Sequence, residues 1–357
     1  MLWFVGIGIN GYLGISFVAL DVLKKCDIVY VEGFTSALAP DDLLGLDSRL
    51  NLKVMPVQRW FVEDGREILE SAKTKDIALL TYGDPLVATT HSELRSRAAR
   101  NSIKTGVLHA ASGITSVIGE TGLHIYKFGR TVTMMSEIHS ALTVYNTVFD
   151  NLLAGSHTLI LTEYNADKEK SNRPFYLDPN SVLRMLLELE HDQRQQILTE
   201  DTFVVVASRM GMQTQKITSG KIKSLVERYF GEGPHSVIIT GGLHFTETES
   251  LACFTENLDE PVDNSHNLKR IDVRMVERYV PKAKVAVQRM RNIINQVASE
   301  KEGLVEVIDN AEYYIADAER FLRQGRFELA VLSIGYAEGL IDALCFQKGI
   351  DPWEASH

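Results

Sequence analysis

The chain has 357 residues, of which 45% are hydrophobic and 24% are charged, and its formal net charge is -10 at pH 7. This length predicts two or three domains, and the composition is typical of a soluble globular protein. The negative charge argues against a duplex nucleic-acid binder, because Lys and Arg supply most of the affinity for phosphate. No run approaches about 18 uninterrupted apolar residues and no basic segment precedes the first apolar run, so we expect neither a membrane span nor a signal peptide.

The three cysteines are isolated in the sequence, and the ten histidines show no spacing typical of metal ligands. An odd number of scattered cysteines (Cys26, Cys253 and Cys345) fits a reducing cytoplasm and excludes a disulfide framework. We therefore predict a cytoplasmic protein without a bound metal.

The first third of the chain alternates short apolar runs with helical patterns. Strands are predicted at residues 2–9, 27–31, 52–55, 77–81 and 104–109. Helices are predicted at residues 16–26, 62–73 and 92–100, with a loop at residues 35–47. This alternation is typical of a mostly parallel sheet with helices on both faces, and we assign the α/β domain to residues 1–112.

After residue 113 the pattern changes, because fewer helices separate the strands. Strands are predicted at residues 131–135, 158–162, 202–207 and 236–240, helices at 141–153 and 180–190, and a polar loop at 164–177. The spacing favours a second α/β domain with a mixed sheet, which we assign to residues 113–268. A ligand cleft between the two domains is then expected.

The last part of the sequence is helical and follows a segment, residues 261–267, with the composition of a linker. Apolar residues recur there at i, i+3 and i+4 in three segments, which are broken at Gly303 and at residues 324–325. We therefore predict three amphipathic helices packed as a small bundle, and we assign this domain to residues 276–346.

One strand end is the best candidate for a binding site. The buried strand at residues 77–81 stops at a Gly-Asp-Pro turn, residues 83–85. Ligands of open α/β sheets lie beyond the carboxyl ends of strands, where Gly admits a ligand to the backbone and Asp can accept hydroxyl groups. Asp84 is therefore a candidate binding residue, although it could equally cap the next helix. A second small-residue strand end, residues 111–113, could be a plain strand-to-helix connection with Ser112 as the N-cap, or it could form the opposite wall of a cleft.

A different pattern lies after the first strand. Gly6, Gly8 and Gly11 have the spacing of a dinucleotide fingerprint, and Glu32 follows about twenty residues later. The next helix starts late for that fingerprint, at Ser16, so a dinucleotide-binding oxidoreductase is an alternative rather than the first interpretation.

Four segments together resemble the diphthine synthase family, the archaeal and eukaryotic branch of the tetrapyrrole methylase-like methyltransferases. They are Val-Gly-Ile-Gly-Ile at 5–9, Gly-Asp-Pro-Leu-Val-Ala-Thr-Thr-His at 83–91, Glu-Thr-Gly-Leu-His-Ile-Tyr-Lys-Phe-Gly at 120–129 and Gly-Pro-His-Ser at 233–236. The resemblance covers the first 270 or so residues. It implies a two-domain tetrapyrrole methylase-like fold, usually a homodimer. The implied reaction uses S-adenosylmethionine to methylate the amino group of a modified histidine (aminocarboxypropyl-histidine) on translation elongation factor 2, in diphthamide biosynthesis.

The resemblance also implies where the methyl donor binds, folded in the cleft between the domains and held largely by backbone groups. Carried over by position, the cofactor-binding residues are Ile9, Asp84, Val87, Ser112, Gly113, Thr162, Met210 and His235. Of these, Asp84, Ser112 and His235 have side chains that could be diagnostic, and the others would act through their backbones. Methyl transfer from a sulfonium needs no metal, and we predict no single catalytic side chain.

The sequence departs from the family in two places. The family's His-Ala-Pro-Ser is His-Ala-Ala-Ser at residues 109–112, and residues 134–141 lack a loop rich in Pro and aromatic residues. These differences leave the substrate contacts and the number of methyl transfers open. A tetrapyrrole, corrin or ribosomal RNA methyltransferase of the same fold and a non-catalytic scaffold are further alternatives. The C-terminal helices resemble a short archaeal domain of unknown function, which suggests an archaeal source.

Overall fold

The computed structural model describes residues 1–35, 40–48, 50–165, 175–265, 270–296 and 303–348. The chain separates into two compact units, Met1–His266 and Asn267–His357. Strands of the first unit are β1 (Leu2–Gly6), β2 (Ile28–Glu32), β3 (Met55–Val57), β4 (Ile77–Thr81), β5 (Thr105–Leu108), β6 (Val132–Met134), β7 (Thr158–Thr162), β8 (Tyr164–Asn165), β9 (Phe175–Tyr176), β10 (Phe203–Ser208), β11 (Lys216–Lys221), β12 (His235–Ile239) and β13 (Glu256–Asn257).

Helices of the first unit lie mostly between these strands. They are α1 (Phe17–Leu23), α2 (Pro40–Ser48), α3 (Arg59–Asp64), α4 (Arg66–Ala72), α5 (His91–Arg100), α6 (Gly113–Thr121), α7 (Ile138–Leu153), α8 (Pro179–Gln193), α9 (Ile222–Leu225) and α10 (Phe245–Phe254). Two short 3-10 helices, Gly11–Gly14 and Ile125–Lys127, complete the unit's described elements.

The first sheet has the strand order β3-β2-β4-β1-β5, and all its described strand pairs are parallel. Its apolar side chains form a hydrophobic cluster on each face, so that β4 is completely buried. Burial on both faces is what a parallel sheet covered by helices requires, and it explains the continuous apolar run at residues 77–80. All carboxyl ends of this sheet point to one edge, where the strand-end loops converge.

The second sheet has the strand order β13-β11-β10-β12-β7-β6. Antiparallel pairs in its centre, among β11, β10, β12 and β7, are flanked by parallel pairs at both edges. The predicted fold class is therefore confirmed, with a parallel sheet, a mixed sheet and C-terminal helices. Both sheets belong to the first compact unit, and the domain assignments 1–112, 113–268 and 276–346 stay predictions.

Several predicted elements differ from the structure. The predicted loop at residues 35–47 contains helix α2, and residues 36–39 lie outside the described residues. The predicted helix at 62–73 is two helices, α3 and α4, because Gly65 adopts a positive φ of 61° and ends the first of them. The polar loop predicted at 164–177 contains the strand pair β8-β9, and residues 166–174 of it are not described.

Two strands of the second sheet, β11 and β13, and two helices near it, α9 and α10, have too little apolar periodicity to be predicted from sequence. Strand β11 is the clearest example, because its buried positions include Thr218 and Ser219. The Ser219 hydroxyl hydrogen-bonds to Thr255 and to Asn257, which satisfies it inside the sheet. A polar sequence can therefore form a buried strand when tertiary partners supply its hydrogen bonds.

Hydrogen bonds attach part of the predicted linker to the second sheet. The Asn264 side chain accepts a hydrogen bond from the Phe203 N–H and donates to the carbonyls of Phe203 and Thr240. Residues 261–265 therefore belong to the first unit and do not form a free linker. Residues 266–269 lie outside the described part of the chain.

In the second unit, the described residues form α11 (Ile271–Gln296), α12 (Leu304–Arg323) and α13 (Phe327–Lys348). This confirms the three predicted helices, with α11 beginning earlier than expected. Gly303 and Gly325 have positive φ angles at the two breaks. The shared core contains Val287, Ile315 and Ile334.

One segment of the described residues, Phe327–Gln347, has the length and mean hydropathy (1.6) of a membrane-crossing helix. Length and composition alone are weak evidence, because the core helix of a small bundle meets the same criteria. In this structure the segment contributes Ala330, Ala337 and Ile341 to the core of the second unit.

Candidate functional site

Close contact between strand-end loops builds the first wall of the candidate site. Gly8 and Gly83 exchange backbone hydrogen bonds of 3.2 and 2.9 Å beyond the ends of β1 and β4. A Cβ on Gly6 would lie 2.5 Å from the Gly83 carbonyl oxygen and 2.8 Å from the Ala110 Cβ. The glycine at position 6 therefore lets three neighbouring strand ends meet.

Asp84 ties two of these strand ends together. Its Oδ1 accepts a hydrogen bond from the Leu86 N–H at 3.0 Å. Its Oδ2 accepts from the Ala110 N–H at 3.3 Å and lies 2.8 Å from the His109 Nδ1. The next helix, α5, has Thr90 at its N-cap, so Asp84 is not its cap. The carboxylate instead joins the loop after β4 to the loop after β5.

Ser112 and Gly113 form the start of α6 beside that junction. The Ser112 hydroxyl accepts a hydrogen bond from the Ile114 N–H at 3.3 Å, as an N-cap does, so that the predicted capping role is confirmed. Nothing lies within 4 Å of the position that a Cβ on Gly113 would take. The backbone at this helix start is therefore open to a ligand.

The second wall consists of strand termini from β7, β10 and β12. The His235 Nδ1 lies 2.9 Å from the Ser208 hydroxyl, and the Thr162 hydroxyl donates to the His235 carbonyl oxygen at 2.9 Å. Burial, together with the nearby Arg209 guanidinium, lowers the pKa of His235 to about 4. The imidazole is therefore neutral at neutral pH, and Met210 follows β10 in the same wall.

Two hydrogen bonds join the walls and fix their alignment. The Asn10 side chain donates to the Gly211 carbonyl oxygen at 2.8 Å, which joins the loop after β1 to the loop after β10. The Tyr164 hydroxyl donates to the Gly33 carbonyl oxygen at 3.0 Å, which joins the chain after β7 to the chain after β2. Burial raises the pKa of Tyr164, so its hydroxyl keeps its proton.

The cleft between the walls has a volume of about 1060 Å³. Small-molecule pockets typically measure about 300–1,000 Å³, so the space accommodates a cofactor and part of a substrate. The structure brings all the predicted cofactor-binding residues to its lining: Ile9, Asp84, Val87, Ser112, Gly113, Thr162, Met210 and His235. Their role in cofactor binding remains a prediction.

Several other lining residues were not predicted from the sequence. They include Phe34, Gln58, Arg59, Trp60, Glu63, Thr133, Met135, Glu163 and Asn165. No motif marks these positions, because the fold brings together the ends of four separate strands. Behind this part of the lining, the Glu32 Oε1 and the His91 Nε2 are buried and hydrogen-bond to no described residue.

The structure argues against the dinucleotide interpretation, in which Glu32 would bind the ribose. The Glu32 Oε2 accepts hydrogen bonds from the Phe34 and Thr35 N–H groups, so the carboxylate is turned towards its own loop. Gly6 and Gly8 are explained by packing between strand ends. The glycine spacing therefore reflects loop contact and not a phosphate cradle.

Comparison with known proteins decides the family. Residues 1–226 match the family Tetrapyrrole (Corrin/Porphyrin) Methylases. The chain belongs to the tetrapyrrole methylase family. Within it, the chain is 37% identical to the diphthine synthase of Methanocaldococcus jannaschii over 261 residues, which are 72% of this chain and 100% of the relative. It is 35% identical to the diphthine synthase of Methanothermobacter thermautotrophicus over 253 residues, 70% of this chain and 94% of the relative.

Two solved structures agree with this assignment. A crystal structure of diphthine synthase matches with a TM-score of 0.62 and 29% identity, and it covers 72% of this chain and 96% of its own. An Entamoeba histolytica protein, provisionally assigned as a diphthine synthase, matches with a TM-score of 0.64 and 34% identity over 71% of this chain and 98% of its own. The chain is thus a methyltransferase of the diphthine synthase branch, and the oxidoreductase and scaffold alternatives are wrong.

The helical unit matches a different family. Residues 273–350 match a family described as a protein of unknown function (DUF357). The M. jannaschii relative is aligned over its whole length within 72% of this chain, so the helical unit is an addition to the methylase part. This agrees with the predicted C-terminal domain of unknown function.

Proposed function

We propose that the cleft binds S-adenosylmethionine, and that the chain methylates the amino group of the modified histidine of translation elongation factor 2. This acceptor is aminocarboxypropyl-histidine, and the reaction belongs to diphthamide biosynthesis. The observation that carries the proposal is the convergence of eight family-matched positions, from six strand ends, on one cleft. The diphthine synthase relatives support the choice of acceptor.

The chemistry of the cleft fits this cofactor. An adenosyl group presents hydroxyls and ring nitrogens, and the open backbone at Ser112 and Gly113 supplies N–H and C=O groups for such atoms. Asp84 keeps lone pairs beyond the hydrogen bonds that it accepts in the structure, so its carboxylate is suited to a ribose hydroxyl. Ile9, Val87 and Met210 supply apolar surface beside these polar groups.

S-adenosylmethionine, when bound, supplies an already activated methyl group. The residues of the chain then have to hold the acceptor amine in line with that methyl group and exclude water. Such positioning contributes up to about 7–11 kcal/mol to lowering a barrier. An α-amino group has a reference pKa of about 7.7–8.0 and is partly neutral at pH 7, so the reaction does not depend on a dedicated base.

Two further properties are part of the proposal. We propose that the chain acts as a homodimer, as the resemblance implies, and that it acts in the cytoplasm on a protein partner, without nucleic acid or membrane. Sedimentation of the purified chain measures the first property directly, and a monomeric mass at micromolar concentration would contradict it.

The first test is calorimetric titration with S-adenosylhomocysteine. The wild-type chain should bind it at micromolar concentration. Asp84→Ala should weaken binding about tenfold to hundredfold, because each lost hydrogen bond to a charged group is worth about 1.5–3 kcal/mol. Asp192→Ala, on the exposed surface of the same unit, is the control and should bind as wild type does.

Turnover is then measured on elongation factor 2 that carries the modified histidine. The mass of the factor should rise by whole methyl groups, and the same experiment counts them. Binding of S-adenosylhomocysteine without any methylation of the factor would contradict the acceptor. No binding by the wild-type chain would contradict the cofactor.

A further inference from the structure

Strand order divides the cleft into two halves. In the first sheet, β4, β1 and β5 are adjacent, and their ends carry Asp84, Ile9 and Ser112. The other two strands, β2 and β3, end at the opposite side of this sheet, beside Phe34 and Arg59. The proposed cofactor residues of the first wall therefore occupy one half, which we call the cofactor half.

The second wall is divided in the same way. Met210 and His235 lie at the termini of the central strands β10 and β12, whereas Thr133 lies on the edge strand β6 and Glu163 follows its neighbour β7. The hydrogen bond from Asn10 to Gly211 joins the cofactor-binding parts of the two walls, and the hydrogen bond from Tyr164 to Gly33 joins the remaining parts of the two walls. The second half of the cleft, which we call the acceptor half, is thus lined by the residues that follow β2 and β3, by β6 and by Glu163 after β7. Thr162, the last residue of β7, lies at its boundary with the cofactor half.

Arg59 is the one lysine or arginine that the described residues contribute to the cleft lining. Its guanidinium carbon lies 5.4 Å from the centre of the Phe34 ring, which holds it at the acceptor half. Its Nε is 3.9 Å from the Glu63 carboxylate, beyond hydrogen-bond distance, and its side chain is 62% exposed. Because the guanidinium donates no hydrogen bond to a described residue, its fork is available to a carboxylate.

Glu163 faces Arg59's half of the cleft from the second wall. Its Oε2 accepts two hydrogen bonds from Ser136, from the N–H at 2.8 Å and from the hydroxyl at 2.6 Å. These bonds fix the orientation of the carboxylate. Its Oε1 accepts no hydrogen bond from a described residue, so one anionic oxygen remains for a ligand.

We propose that Arg59 and Glu163 bind the two charged groups of an α-amino acid end on the acceptor: Arg59 its carboxylate and Glu163 its amine. A cation on one wall and an open carboxylate oxygen on the other complement a zwitterion, whereas a purely anionic porphyrin acid or RNA would meet Glu163 unfavourably. The inference rests on the proposed function, whose acceptor carries both groups. It adds which residues recognise them.

The arrangement also bears on the methyl transfer. The bound ammonium first gives a proton to water, and the lone pair so released forms the new N–C bond while the C–S bond of the donor breaks with its electron pair left on sulfur. Positive charge grows on the nitrogen as the bond forms. A fixed carboxylate beside it stabilises that charge more in the transition state than in the neutral amine.

The test compares elongation factor 2 carrying the modified histidine with the same factor carrying an unmodified histidine, both in the presence of S-adenosylhomocysteine. Wild type should bind the modified factor at least about tenfold more tightly, since a hydrogen-bonded charge pair is worth about tenfold to hundredfold. Arg59→Gln should reduce this preference to within about threefold. Arg59→Lys should restore part of it, because it keeps the charge but loses the planar fork.

Glu163→Gln separates positioning from binding. It should lower kcat about tenfold with a smaller change in KM, because the lost charge acts mainly on the developing cation. Arg66→Gln is the control, since Arg66 is exposed on the neighbouring helix and outside the cleft lining. Both test variants should keep wild-type affinity for S-adenosylhomocysteine, which reports on fold and on the cofactor half.

Wild-type preference and kinetics in both Arg59→Gln and Glu163→Gln would overturn the inference. A loss of affinity for S-adenosylhomocysteine in the same variants would overturn it too, because the two residues would then belong to the cofactor half or to the fold. Failure of the wild-type chain to methylate the modified factor would instead overturn the proposed function, and the inference with it.

Discussion

In the two sheets of the first unit, different kinds of contact hold the strand termini together. Around the first sheet, glycines let backbone meet backbone, as at Gly6 and Gly83. Around the second sheet, buried polar side chains make the contacts, with Ser208, His235 and Thr162 at the cleft and His157 and Glu247 at the far end. The first sheet closes its edge through backbone contacts, to which the Asp84 carboxylate adds a side-chain link, whereas the second depends on hydrogen bonds between side chains.

Topology explains the difference. Parallel strands all end at one edge, so their loops converge and glycine provides the room that they need. In a mixed sheet, strand starts and strand ends share an edge: His235 begins β12, whereas Thr162 ends β7. Hydrogen bonds between side chains then join termini that would not otherwise be adjacent. Substitutions at the second sheet should therefore act through charge and hydrogen bonding, and those at the first through steric contact.

The largest effect should come from removing the buried charge of Glu247. Burial by itself raises the pKa of this carboxyl, but hydrogen bonds from the His244 N–H, Lys127, the His124 N–H and His157 outweigh burial and hold it at about 2. Glu247→Gln should lower the free energy of unfolding by about 3 kcal/mol, the lower end of the cost of breaking a buried ion pair. Chemical denaturation at pH 7 measures it.

The direction of the pKa shift determines how the stabilisation by Glu247 changes with pH. Because the folded pKa of Glu247 lies below its usual value of 4.5, its stabilisation is present above pH 4.5 and is lost as the pH falls towards 2. Glu247→Gln should remove that part of the acid dependence. Glu249→Gln, at an exposed position of the same helix, is the control. Equal stability of the two variants would show that the polar network is not what holds this end of the sheet.

A steric change at the first sheet should have an intermediate effect. In Gly6→Ala, the new Cβ would meet the Gly83 carbonyl oxygen at 2.5 Å, and that oxygen is backbone and cannot rotate away. We expect a loss of about 1–3 kcal/mol in stability, as for overpacked cores. Affinity for S-adenosylhomocysteine should fall as well, because the strand ends that carry Ile9 and Asp84 must separate.

Gly119→Ala is the matched control for this substitution. Nothing lies within 4 Å of the position of its new Cβ, and Gly119 lies inside helix α6. Alanine there should stabilise the protein by up to about 1 kcal/mol and leave cofactor affinity unchanged. Melting temperature and calorimetry measure both variants, and a Gly6→Ala protein as stable as wild type would disprove the steric account.

The smallest effect at pH 7 should come from His235, because its titration changes stability only at acidic pH. Because burial lowers its folded pKa to about 4, the unfolded chain takes up the proton first, and stability falls as the pH drops from about 6.5 to 4. His235→Gln should flatten this part of the stability profile. His191→Gln, at an exposed position, should not. An unchanged slope in His235→Gln between pH 6.5 and 4 would place the acid sensitivity elsewhere.

Much of the fold follows from local patterns. The apolar run at residues 77–80 predicts β4, and the small residues at 111–113 predict the start of α6, because each pattern has one stable local solution. The three C-terminal helices follow from their apolar periodicity in the same way. Strand β11 and helix α10 do not, because most hydrogen-bond partners of their buried polar residues are distant in sequence.

The candidate site shows the same division. The family resemblance rests on contiguous motifs, which contain four of the eight predicted cofactor-binding residues, and the other four were carried over by position. Only the tertiary structure decided that Asp84 joins two loops, that Glu32 faces its own loop, and that Arg59 and Glu163 line one half of the cleft. The physical reason is that sheet order, and not position in the chain, determines which strand ends are neighbours.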